Sequence, residues 1–173
     1  MRGWWVVGLV GLVLALYGAH VRSAEFVYED SQSMRSAVPM GQARSLTSWT
    51  WTWAETPPLA HALSLGLHLA VVGLLVLLAW RLGFSSAGIG LVMALLTVHP
   101  LTVEAVAYAK ARDEPLAAIG MRTAVLCATW GWRSLALGGM ALGAWWGWLS
   151  QESAMVVWAL IAVTWWPPGR WSW

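Results

Sequence analysis

The sequence predicts an all-α integral membrane protein with about six transmembrane or re-entrant helices and short amphipathic helices in two outer-face loops. Three observations carry that prediction. Hydrophobic residues make up 59% of the chain and charged residues 10%, whereas a water-soluble domain covers its surface with about 25% charged residues. The apolar residues gather into separate runs, at 4–21, 59–82, 88–98, 115–130, 135–149 and 154–166. Most of the sixteen tryptophans lie at or just beyond the ends of these runs, as rings do at the headgroup level of a bilayer. The whole chain, 1–173, is one transmembrane domain on this reading.

The first run, 4–21, follows Arg2 and is expected to remain as a span. Cleavage after Ala24 would place Arg22 at the −3 position, where a small residue is wanted. A polar segment, 22–58, forms the first outer loop; its alternating Trp49, Trp51 and Trp53 read as an interfacial segment rather than a strand. Pro57-Pro58 starts the longest run, 59–82, ample for a hydrocarbon core of about 30 Å and closed by Trp80-Arg81. His61 and His68 are seven apart and share one face of it, as possible ligands for a metal or pigment or as hydrogen-bonding partners of a neighbouring helix. Gly83 to Ala87 make a turn into the 88–98 run, which ends at His99-Pro100. The 115–130 run carries Arg122 in its interior, where a cation must face a carboxylate, an anionic headgroup or an aqueous cavity. Gly139, Gly143 and Gly147, at spacing four in 135–149, form a flat stripe that lets another helix approach closely. Ser150-Gln-Glu152 precedes the last run, and Pro167-Pro168 stops it.

Laid out in this way, Arg2, Arg81, Arg133 and Arg170 all fall on one side, which places both termini in the cytoplasm of a bacterial-type inner membrane. Between two spans lies the other outer loop, 99–114, which holds Glu104, Lys110, Arg112, Asp113 and Glu114. A charge in hydrocarbon costs roughly 2.5 to 3.5 kcal/mol on insertion scales, so this stretch marks a functional edge. Read as a helix from Leu101, it sets Glu104 four residues from Tyr108 and Lys110 four from Glu114. The net charge of +2 is too small to argue for nucleic acid. The single cysteine, Cys127, excludes an internal disulfide.

A set of motifs in order then carries a resemblance: Phe26-Val-Tyr-Glu-Asp30, Arg44-Ser-Leu-Thr, His61 with His68, His99-Pro100 with Glu104-Ala-Val and Arg112, and Ser150-Gln-Glu152. Together they resemble the amino-terminal part of a GT-C membrane glycosyltransferase, of the protein O-mannosyltransferase-like group whose membrane domain precedes tetratricopeptide repeats. The resemblance implies that Glu29 and Asp30 supply the catalytic base, and that Glu104, Arg112, Glu114 and Arg122 serve a second acidic and donor-phosphate site. It also implies a divalent metal held by Asp30 and Glu104, and a polyprenyl-phosphate sugar donor. The chemistry is coherent, because a carboxylate can take the proton of an acceptor hydroxyl while oxygen ligands suit a hard cation.

The departures set the functional expectation. The acidic pair reads Glu-Asp, Arg-Pro-Leu reads Arg-Ser-Leu, the Lys of Ser-Lys-Glu is Gln151, and the chain is shorter than a full enzyme of this class. The expectation is therefore an accessory membrane subunit that does not catalyse alone, with lipids and the other membrane subunits of an energy-transducing or envelope complex as its partners. The competing expectation is a polyprenyl-phosphate-sugar transferase, or one half of a split one.

Overall fold

The computed structural model describes residues 4–23, 25–26, 30, 39–42, 44–99, 104, 106–129, 133–151, 154 and 156. Among them every regular element is helical. Helix α1 is Trp4–Ser23, α2 is Ser45–Trp51, α3 is Pro57–Arg81, α4 is Ser86–Val98, α5 is Asp113–Ala128 and α6 is Arg133–Ser150, with a 3-10 turn at Ala109–Arg112 leading into α5. Five of the six apolar runs thus correspond to helices, offset by a few residues at their ends. The sixth, 154–166, lies almost entirely outside the described residues.

Local chemistry accounts for the boundaries. Prolines 57 and 58 occupy the first positions of α3, where no N–H is needed and the ring presets φ. At the other end Gly83 has φ +81, and its N–H donates to the Trp80 carbonyl while the Phe84 N–H donates to that of Ala79. This is the double hydrogen-bonded stop that needs a left-handed residue, and glycine supplies it without strain. The Ser85 hydroxyl then accepts from the Gly88 N–H at 3.2 Å, capping α4 four residues after the end of α3.

Packing is built from paired helices. Val72 and Val76 of α3 meet Ile89 and Met93 of α4; Val13 and Tyr17 of α1 meet Leu65 of α3 together with Val106. The Tyr17 hydroxyl crosses to the Thr97 carbonyl at 2.7 Å. Helices α5 and α6 form the closest pair, around Ala124, Cys127, Ala136, Met140 and Ala144. There the glycine stripe is used within the chain. A Cβ on Gly143 would lie 2.7 Å from the Ala124 nitrogen and the Gly120 oxygen, and one on Gly139 would collide with the Cys127 sulfur. The helix that the stripe lets approach closely is α5 of the same chain.

The tryptophan segment is helical and not a strand, while the expectation of one helix across the charged stretch changes. Trp49, Trp51 and Trp53 lie on α2 and the turn after it. Residues four apart share a helical face, so Trp49 and Trp53 meet edge-on at 5.2 Å, both well exposed, while Trp51 turns inward and is buried. The charged stretch is not one helix. After a turn in which the Tyr108 N–H reaches the Glu104 carbonyl at 2.9 Å, Tyr108 is extended, with φ −106 and ψ 120. Lys110 and Glu114 therefore belong to the 3-10 turn and to α5, respectively.

Among the described residues, α3 alone is long and apolar enough to cross a membrane, with a mean hydropathy of 2.4 over its most apolar window. The apolar parts of α1 and α4, Val10–Ser23 and Ser86–Thr97, are shorter.

Candidate functional site

The break at Tyr108 is the point from which the site is built. Extending one residue interrupts the ladder of backbone bonds, so the next N–H groups have no carbonyl a turn behind them. The Asp30 carboxylate fills that gap, its Oδ1 accepting from the Lys110 N–H at 2.7 Å. A side chain 80 residues earlier thus caps the start of the run that continues as α5. An anion at this end also meets the positive end of the helix dipole.

Two residues on, Arg112 is fully buried. Its Nε donates to the Ala109 carbonyl at 2.8 Å, and Nη1 donates to the Thr50 carbonyl and hydroxyl at 3.3 and 3.4 Å. The guanidinium lies over the Trp51 ring, with its carbon 3.8 Å from the ring centroid, a desolvated cation–π contact worth about 2 kcal/mol. Burial pulls the guanidinium down to about 10, and the Asp30 carboxylate opposes that shift, so the group is a cation at neutral pH. Nη2 is enclosed with no hydrogen-bond partner among the described residues.

His61 sits at the same end of α3, 2% exposed, within electrostatic reach of Asp30. Neither of its ring nitrogens makes a well-formed hydrogen bond among the described residues, although the Val106 and Glu25 backbones lie close to it, and its ring meets His20 edge-on at 5.3 Å. Two turns further along the helix, His68 packs edge-on against Tyr17 at 6.1 Å. The two histidines do share a face, and it is turned toward α1.

On the solvent side of the turn, Glu104 and Glu114 are exposed. Although Glu114 keeps an exposed face, partial desolvation and the charges of Asp113 and Glu104 raise its carboxyl, and burial raises that of Asp113. The loop motifs thus fall into a buried set, Asp30 with Arg112, and an exposed acidic set, Glu104 with Glu114. Glu29 and Glu152 lie outside the described residues. Arg122 joins neither set. It is on α5 some 13 Å beyond Asp113 by helical rise, half-buried, with Nη1 turned back to the Ala118 carbonyl at 3.3 Å.

Two other motifs meet away from this turn. Thr47 of Arg44-Ser-Leu-Thr donates through its hydroxyl to the Ser150 carbonyl at 3.0 Å. For a divalent metal, the described donors do not suffice. No three His, Cys, Asp or Glu side chains converge among the described residues, and of the two carboxylates expected to hold the metal Asp30 is buried while Glu104 is exposed.

Comparison with known proteins adds no relative. No family model, curated protein sequence or solved structure matches the chain.

Thr50 and Trp51 are the residues that sequence reading missed. Period two left the conformation of this segment open, and only on the helix, where Trp49 and Trp53 share one face, does Trp51 point the opposite way, into the protein; no sequence signal marked Thr50.

Proposed function

We propose that the chain is a multi-pass membrane protein that acts as an accessory subunit of a larger membrane assembly, derived from the amino-terminal part of a GT-C glycosyltransferase, with its acidic loop site kept as a structural clamp. The observation that carries this reading is the state of Asp30. A general base must reach the proton it takes; this carboxylate is 0% exposed, and its Oδ1 accepts the Lys110 N–H.

Membrane insertion is supported by the composition and by α3, of whose most apolar window only 33% is buried within the chain. Apolar side chains on α1, α4 and α6 face outward as well, among them Leu16, Leu91 and Leu142. In the proposed topology six apolar segments lie in a bacterial-type inner membrane with both termini cytoplasmic, and the loops holding Asp30 and Arg112 lie together on the outer face. Derivation from a GT-C enzyme is supported by the convergence of motifs far apart in sequence: Asp30 on the Lys110–Arg112 turn, and Thr47 on Ser150.

The transferase reading has one observation in its favour, the unpartnered Nη2 of Arg112 close to Asp30. Extraction in mild detergent followed by sizing separates the two. The accessory reading expects co-migration with other membrane subunits and no sugar transfer by the isolated chain. A monodisperse monomer that transfers sugar from a polyprenyl-phosphate donor by itself would overturn it.

A further inference from the structure

We propose that the groove between α1, α3 and α4 binds one acyl chain of an anionic phospholipid whose headgroup is held by Arg81. The groove, about 280 Å³, is lined by Val10 and Val13 of α1, Met93 of α4 and the α3 stripe from Leu69 to Leu77. Its floor is buried, with Val13 at 1%, Val72 at 5% and Met93 at 5% exposure, and its rim is open, with Val10 at 39% and Leu77 at 49%.

The groove exists because Gly73 lies in the middle of that stripe. A Cβ there would meet nothing within 4 Å, so any larger side chain would project into the open space. The volume is just below the roughly 300 Å³ at which small-molecule clefts begin, which suits a single flexible chain and not a ring system. No polar group lines it, so the occupant has no means of being recognised along its length.

Recognition comes at the end of the stripe. Leu69, Val72, Gly73, Val76 and Leu77 follow the three-four spacing of one helical face, and Trp80 and Arg81 are the next two positions on it. Trp80 is 54% exposed, and Arg81 is exposed, with one Nη donating to the Thr129 carbonyl at a long 3.4 Å. An apolar channel that runs into an exposed tryptophan and arginine presents hydrocarbon, interface and cation in the order in which a phospholipid presents tail, ester region and phosphate. The charge complementarity selects an anionic headgroup over a zwitterionic one.

The inference rests on membrane insertion, and its test separates the two. If insertion fails, the chain does not co-fractionate with vesicles of any composition. If only the lipid site fails, the chain inserts and is indifferent to the headgroup. The purified full chain in mild detergent, given dioleoyl phosphatidylglycerol or dioleoyl phosphatidylcholine, is analysed by native mass spectrometry as wild type, Arg81→Gln and Gly73→Phe. The expected result is retention of phosphatidylglycerol over phosphatidylcholine, a preference reduced roughly fivefold by Arg81→Gln, and loss of both adducts in Gly73→Phe with helicity retained. Should Gly73→Phe lose helicity, the Arg81→Gln comparison decides alone. Equal retention of the two lipids by the wild type, no adduct with either, or a preference that survives Arg81→Gln would overturn the site.

Discussion

Replacing Asp30 in two ways separates a capping carboxylate from a catalytic one. Asp30→Asn keeps an oxygen where Oδ1 accepts the Lys110 N–H at 2.7 Å and removes only the charge. A charge-assisted bond is roughly twice as strong as a neutral one, so this change costs about 1 to 2 kcal/mol, including the lost offset for the buried Arg112 cation. Asp30→Ala removes the acceptor too. A buried N–H left unmet costs about 1 to 3 kcal/mol more, and the cap at the head of the turn and α5 disappears with it.

The chain carries its own reporter for the measurement. Cys127 is its only cysteine and is buried between α5 and α6, away from the Asp30 turn. Thermal exposure of this thiol to a maleimide dye in detergent therefore follows unfolding without perturbing the site. The expected order of midpoints is wild type, then Asn, then Ala, with the Asn-to-Ala gap at least as large as the first. An Asp30→Asn variant with the wild-type midpoint that has lost a sugar-transfer activity present in the wild type would refute the clamp and leave Asp30 as a catalytic base.

Other expectations follow from the same contacts. Gly143→Leu should destabilise the fold by about 3 kcal/mol or more, since its Cβ meets backbone atoms that cannot rotate away; Gly138→Ala, whose added methyl meets nothing within 4 Å, should stabilise α6 by about 0.4 to 1 kcal/mol. Thermal midpoints of the two variants check both signs. Trp51→Leu removes the ring under Arg112 and should lower the midpoint by more than Trp53→Leu, because Trp53 is 64% exposed. Glu114 and Asp113 are raised in the folded chain from ordinary values of 4.5 and 3.8, so the fold disfavours their ionised forms. Their penalty is absent below those ordinary values, develops as pH rises through them, and is complete above the raised folded values. Glu114→Gln should accordingly be more stable than wild type at pH 7 and lose that advantage below about pH 4, as melting curves at the two pH values would show.

The helices were legible in the sequence because apolar runs, prolines and Gly83 mark their ends through local chemistry. What composition did not determine was the use of each face. The Gly139, Gly143 and Gly147 stripe announces close approach, but spacing alone does not say whether the approaching backbone belongs to the same chain. Small residues on α5 answer that question, for Gly120, Ala124 and Cys127 fall at spacings of four and three opposite the stripe. Reading both helices together would have paired them. Trp49, Trp51 and Trp53 show the converse problem, since period two suits a strand, an interfacial segment or a short helix equally, and only the neighbouring structure selects among them.

The site was legible as a set of residues and illegible as a geometry. Charge density singled out the stretch from Glu104 to Glu114, because charged groups between apolar runs need a reason to be there. The extended Tyr108 has no local signature: neither proline nor glycine breaks the helix at that point. The break is a tertiary effect. A regular helix through this stretch would supply the Lys110 N–H with a backbone acceptor and leave Asp30 without it; the turn instead brings Arg112 onto Trp51 and Thr50 and leaves one N–H for Asp30 to accept. Each half of that arrangement requires the other, since a buried guanidinium needs a nearby anion and a buried carboxylate needs donors. Asp30 and Arg112 are therefore one unit, 82 residues apart in sequence and closed in space by a single turn. Removing either should loosen the same joint between the first loop and α5.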